Sequence, residues 1–312
     1  MLIEISGESY KNHFLKEQPP FLRLQFVELN SYKVERIVFL LRDTKKPSIG
    51  LIAGIKDGMV LSPFSAPFGG FNYSHENIYI NEIESFTEDL KTYIFEMNYR
   101  KVSVTFPPSI YGGSFNSKMI NVLKRKNFKM QIPDLTNWVD LKNFEGKFLQ
   151  KNSREYYNQA LKNKLTFKEL LNINEKKHAY ELIVENRRKF GRPIYMRFED
   201  LINTSQLWPV DFYGVYSSEN ILIASGIFYQ LTDKIAFAVF WGDNEIGRPL
   251  RAMDFLSFTL WSHYKNKGFS YVDLGVSTEN GGVPNEGLLR FKETHESKTE
   301  LKYTLVWEPD SE

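Results

Sequence analysis

One order of segments recurs along this 312-residue chain, and it limits the fold more than any other feature. In the first half, Arg36–Arg42 (RIVFLLR) and Ser48–Ile55 (SIGLIAGI) are apolar, β-branched runs that read as strands. Lys56-Asp57-Gly58 reads as a tight hairpin turn, and Met59–Ser62 leads out of it. A loop rich in proline and glycine follows, Ser62–Phe71 (SPFSAPFGGF). The spacing of Ile83, Phe86, Leu90, Tyr93, Ile94 and Met97 then predicts a helix with one apolar face. Lys101–Phe106 alternates as a strand, which Pro107-Pro108 ends.

The second half repeats this order. Asp211–Tyr216, Ile221–Tyr229 and Lys234–Trp241 read as strands. A glycine- and proline-bearing loop, Gly242–Pro249, precedes a helix from about Leu250 to Lys267, with Gly268 suited to its C-terminal cap. Tyr271–Val276 (YVDLGV) is the strand after it. Two polar helical stretches, Lys147–Leu165 and Lys176–Phe190, separate the repeats, and Gly191, Arg192 and Pro193 end the second. The expected domains are therefore residues 1–143 and 144–312, each an α/β (α+β) module.

Composition removes several chemistries. The chain has no cysteine, so a thiolate nucleophile, a disulfide and a cysteine-based zinc site are out. Its five histidines are scattered with no H-x-x-x-H pair, and no metal site is expected. Forty basic against thirty-eight acidic residues give no global attraction to nucleic acid or an anionic membrane. The basic run Lys118–Lys129 is either a solvated face or an RNA contact. Residues 1–14 lack the apolar core of a signal peptide, and no apolar run is long enough to span a bilayer, so a cytoplasmic protein is expected.

Several side chains stand where chemistry is expected. Asp273 lies in an apolar strand, where alternation puts Tyr271, Asp273, Gly275 and Ser277 on one face. It is either hydrogen-bonded structure or a positioned functional group. Arg187 shares a helix face with Ile183 and Val184, and it would suit an anionic group unless a neighbouring carboxylate pairs with it. Tyr195 follows this helix and could orient or deprotonate an amine. Trp241 and Asp243 end a buried strand at a loop; Trp241 is either core or a ligand wall.

Glu185–Met196 (ENRRKFGRPIYM), Gly214–Phe228, the WGD at Trp241–Asp243 and Tyr271–Glu293 carry a resemblance. In order and spacing, residues 145–300 resemble the FemAB-like (BioF2-like, acetyltransferase-6) branch of the GNAT acyltransferase superfamily, and SPFSAPFGGF looks like the equivalent loop of bacterial members. The resemblance implies two tandem GNAT-like modules, each a mostly antiparallel mixed sheet flanked by helices, with the first degenerate. It implies transfer of an acyl or aminoacyl group to an amine. It also places the Phe291-Lys292 pair, beside Arg290, at the donor and acceptor channel. Lys292 would bind a phosphate or the oxyanion, and its replacement by alanine is expected to cut transfer while leaving the fold intact.

The superfamily's Q/R-x-x-G-x-G/A loop wraps the coenzyme A pyrophosphate with backbone N–H groups. Here Asp243–Pro249 stands in its place, with Gly247 and Arg248 as the cofactor-binding candidates and Glu245 of the wrong sign for a phosphate. Acyl-coenzyme A and aminoacyl-tRNA both stay open as donors, although residues 171–193 leave no room for the long helical arm of some tRNA-dependent relatives. The acceptor is expected to be an amine on a small molecule, a sugar nucleotide or a lipid-linked precursor. A protein that holds such a ligand without catalysis is the alternative from another class.

Overall fold

A computed structural model describes residues 1–14 and 19–309. The chain divides into two compact units, Met1–Asp134 with Leu301–Glu312, and Leu135–Glu300.

In the first unit, eight strands among the described residues form one sheet. They are β1 (Leu2–Glu4), β2 (Arg36–Arg42), β3 (Ile49–Lys56), β4 (Met59–Ser62), β5 (Asn72–Tyr73), β6 (Lys101–Thr105), β7 (Lys129–Met130) and β15 (Thr304–Trp307). The order is β1-β2-β3-β4-β6-β15-β7, with β5 paired to β3. The helices are α1 (Gly7–Lys11), α2 (Leu24–Leu29), α3 (Ile80–Glu96) and α4 (Ser114–Arg125). Helix α3 is the crossover that makes β4 and β6 parallel. Both faces of β2 are covered. Val38 and Leu40 join the α3 side of the core, and Phe39 and Leu41 join Tyr10, Phe14 and Leu22 on the other. This explains why RIVFLLR is apolar without a break.

The second unit repeats the topology. Its sheet runs β14-β8-β13-β12-β11-β10-β9. The strands are β8 (Asp134–Asp140), β9 (Thr166–Glu169), β10 (Val210–Tyr216), β11 (Leu222–Gln230), β12 (Ile235–Asp243), β13 (Tyr271–Val276) and β14 (Ser297–Lys302). Helix α8 (Ala252–Asn266) is the crossover between parallel β12 and β13. It buries Leu256, Leu260, Trp261 and Tyr264, and Ala252, Asp254, Phe255 and Ser257 besides, so it is covered nearly all round. The remaining helices are α5 (Lys151–Lys162), α6 (Ile173–Lys189), α7 (Phe198–Thr204) and α9 (Glu286–Thr294), and α6 packs on β11 and β12.

The expected division at 143/144 moves. β8 pairs with β13 and so belongs to the second sheet. The chain end returns as β15 to pair with β6 in the first. In each sheet the post-crossover strand is thus flanked by a strand from outside the repeated stretch, which no local pattern marks. The basic run is helix α4 and its end, where Lys118 Nζ donates to the Glu76 and Ile78 carbonyls, Arg125 pairs with Glu84 and Lys126 with Glu88. All of these partners lie within the first unit. The SPFSAPFGGF loop is tied down by Gly69 N donating to the Thr105 carbonyl (2.9 Å) and Ser62 Oγ to that of Gly70 (3.1 Å), as in a rigid turn. Among the described residues no helix is long and apolar enough to cross a membrane.

Candidate active site

The two parallel pairs differ, and the difference makes the site. In the first unit all of β4 pairs with β6, from Met59↔Lys101 to Ser62↔Val104. In the second, pairing covers only Ile235–Phe237 with Tyr271–Asp273. Beyond Phe237 the strands part, and each bends at a bulge. Against β11, Phe228 pairs with Ala238 and Ile227 with Phe240, which leaves Val239 as an extra residue. Against β8, Asp273 pairs with Trp138 and Gly275 with Asn137, which leaves Leu274 extra. Bulges bend a strand and raise its twist. Gly275 at φ +66° supplies the left-handed backbone that the second bulge uses. The alternation expected along YVDLGV therefore fails after Asp273.

A cavity of about 550 Å³ opens at the β12 side of this split. Trp241, Gly242 and Asp243 come from the end of β12, and Asn186 and Arg187 from α6. Met253 and Asp254 come from the start of α8, and Leu288 and Phe291 from α9. Arg192, Arg248 and Arg251 complete a cationic rim.

Arg187 is placed by the end of its helix. Gly191, at φ +68°, lets Gly191 N donate to the Arg188 carbonyl (3.0 Å) and Arg192 N to that of Arg187 (2.9 Å), a Schellman closure. Arg187 thus sits in the last turn, where a cation suits the helix dipole. Burial lowers its pKa, and the charge of Arg192 pushes the same way. Among the described residues no carboxylate lies within ion-pair distance of it. The other rim arginines are engaged. Arg248 pairs with Asp243 (3.6 Å), Arg192 with Glu279, and Arg251 donates Nε to Gln159 Oε1 (3.2 Å) while lying 3.7 Å over the Tyr156 ring. Asp243 is itself pushed up by burial, which outweighs the nearby Arg248.

Lys292 does not line the cavity. It is 1% exposed, and Nζ donates to the carbonyls of Gly275 (2.9 Å) and Val276 (2.8 Å), holding the bent end of β13. Burial pushes its pKa down to about 7; Asp273 opposes that shift and Arg187 reinforces it. Asp273 is equally buried, and its Oδ1 accepts from Gly275 N (2.8 Å). Both residues thus brace the split. Tyr195 is 90% exposed and Arg290 is exposed, so neither faces the cavity. Of the residues expected from the sequence, the cavity gathers Arg187, Trp241, Asp243, Arg248 and Phe291.

Gly247 lies behind the rim. An added Cβ would stand 2.4 Å from the Ile223 carbonyl oxygen and 3.1 Å from Ala252 Cβ. Gly247→Ala is expected to cost about 1–3 kcal/mol by overpacking, read as a lower urea midpoint. An unchanged midpoint would show that the loop can yield. The amides of this loop are turned inward. Asn244 Oδ1 accepts from Ile246 N (3.1 Å) and Gly247 N (2.9 Å), and Arg248 N donates to the Asn244 carbonyl (3.2 Å). A pyrophosphate would find these N–H groups already bonded, so the segment does not fit a backbone cradle.

The sequence reading missed Asp254 and His295. Asp254 is the one acid inside α8, a helix otherwise apolar on most sides, and that was its signal. His295 gave none, because its partner lies forty-one residues away.

No protein-family model matches the chain. No curated protein matches it in sequence. Solved structures share its fold. FemX is similar with a TM-score of 0.69 at 11% identity, over 99% of this chain and 97% of that one. L-PGS from Bacillus licheniformis is similar at 0.61 and 14%, over 99% and 94%. A tandem GNAT protein from the clavulanic acid biosynthesis pathway is similar at 0.57 and 10%, over 100% and 99%. At these identities the likeness shows the fold, two tandem GNAT-like modules of the kind that the FemAB-like resemblance implies.

Proposed function

We propose that this chain is a transferase that moves an acyl or aminoacyl group onto an amine, in the cavity of the second unit. The observation that carries the reading is Arg187, a cation held in the wall of a cavity with no carboxylate within ion-pair distance among the described residues. A desolvated guanidinium without a counter-charge is unfavourable alone and favourable with an anionic ligand. The fold adds to this, since its neighbours include FemX and a tandem GNAT protein.

The chemistry suits the residues. A neutral amine attacks the donor carbonyl, an oxyanion forms, and a thiol or a ribose hydroxyl leaves. No covalent nucleophile is needed, so a chain without cysteine can do it. Trp241, Met253, Leu288 and Phe291 give an apolar wall that excludes water from the reacting carbon. Phosphates of an acyl-coenzyme A would be met by Arg187 and Arg248 side chains, because the loop amides are already bonded. The 3′ end of an aminoacyl-tRNA carries phosphates that these arginines could meet equally. The inward-turned loop also favours a second reading, a GNAT-fold protein that holds an anionic ligand without turnover.

The test is transfer from labelled acyl-coenzyme A species and charged tRNA onto a pool of amine acceptors. Amide formation with one donor class is expected. Tight donor binding with no amide from any acceptor would replace the transferase by the binding protein. The aminoacyl-tRNA donor further requires that binding weaken steeply with salt, and salt-independent binding removes it.

A further inference from the structure

The wall that holds Arg187 also holds a carboxylate, Asp254. The Asp254 side chain is 10% exposed and lies in the cavity wall. Its Oδ1 meets His295 Nε2 at 3.0 Å, while its other oxygen has no protein hydrogen bond among the described residues. The histidine is held from several sides. His295 Nδ1 lies 2.6 Å from the Phe291 carbonyl oxygen, which can only accept, so Nδ1 carries a hydrogen. Nε2 faces the Asp254 carboxylate. The ring is fixed by stacking on Phe291 at 4.0 Å, by the edge of Phe148 at 4.8 Å, and by Trp261 Nε1 donating to the His295 carbonyl at 3.0 Å. Asp254 is therefore held in one orientation, with one oxygen left for a donor in the cavity.

The neighbouring charges are already matched, Asp243 by Arg248 and Arg192 by Glu279. Among the described residues, Arg251 is turned to Gln159 and the Tyr156 ring, while the outer oxygen of Asp254 and the Arg187 guanidinium have no side-chain partner, on a wall that Trp241, Met253 and Phe291 keep apolar. We propose that the cavity takes a ligand carrying both an amino group and an anionic group, with the amine on Asp254 and the anion on Arg187. This rests on the transferase reading and names its substrate class, an amino-acid-like or phosphoamine-like zwitterion. In the reaction Asp254 would hold and orient the amine.

The test is titration calorimetry of the full chain at low salt. The probes are phosphoethanolamine and its longer ω-amino homologues, each against the alkyl phosphate of equal length without the amine. Wild type is expected to bind the best amino phosphate about 10-fold tighter or more than its amine-free match, the effect of one charge-assisted hydrogen bond. Asp254→Asn keeps an oxygen for His295 and should bring that ratio close to one, by removing the partner of the amine. Arg187→Gln should weaken both probes. Equal wild-type affinities, or a ratio that survives Asp254→Asn, overturn the proposal. Equal affinities that both fall in Arg187→Gln do so while leaving the anion-binding transferase standing. No binding of any probe overturns both. Should Asp254→Asn not fold, the wild-type ratio alone decides.

Discussion

Lys292→Ala is expected to lower stability by about 3–5 kcal/mol near pH 9, through a buried cavity and two carbonyls left without donors. Those carbonyls belong to Gly275 and Val276, at the bend where β13 leaves β12. The loss depends on pH in a defined direction. The native lysine titrates at about 7 because it is buried. The unfolded lysine titrates near 10.4, so between these values the unfolded state holds more protons and wild-type stability rises with pH. Across the whole window the rise is on the order of 4 kcal/mol. Below about pH 7 both states are protonated, the native state keeps a buried charge, and the variant loses correspondingly less. Urea unfolding from pH 6 to 10 reads both effects. A variant as stable as wild type near pH 9, or a wild type whose stability is flat over the window, would remove Lys292 from this structural role. The expectation that the fold survives this substitution intact is thereby replaced. Lost transfer in Lys292→Ala then reports a collapsed split before it reports chemistry.

Arg187→Met separates stability from function in the opposite direction. Met matches much of the arginine's apolar stem and removes a partly buried cation that lacks a carboxylate partner. The ligand-free protein is expected to gain roughly 1 kcal/mol, a value reduced for the solvent that still reaches the site. Transfer is expected to fall about 100-fold, the effect of losing a charge-assisted hydrogen bond worth 2–3 kcal/mol. The paired readout is a thermal melt without ligand and the transfer rate with it. A less stable variant would mean that Arg187 serves the fold. Unchanged transfer would mean that substrate does not meet it.

Local patterns made the repeated scaffold readable, and non-local pairing hid the rest. The apolar runs of β2, β3, β11 and β12, and the periodicity of α3 and α8, are properties of contiguous residues, so the sequence exposes them. Which strand flanks β6 or β13 is decided across the chain, and the pairings of β15 and β8 carry no local mark. The cavity depends on two bulges. Gly275 was a visible cue to the second, but nothing about Val239 announces the first. Lysine 292 shows the same limit. Its position in the resembling segment was plain, yet only the fold decides whether an ammonium faces a ligand or two backbone carbonyls. Tyr195 had the right chemistry and stands in solvent, whereas Asp254, the one acid of α8, lies in the wall.

The most direct measurement is mass spectrometry of the acceptor pool after incubation with each donor. An active site in the second unit should produce an acceptor in which the acyl group replaces one amine hydrogen, formed as the donor is discharged and suppressed in Arg187→Met. Donors discharged only to the free acid at the rate seen without protein, or an amide formed equally well by Arg187→Met, would contradict it.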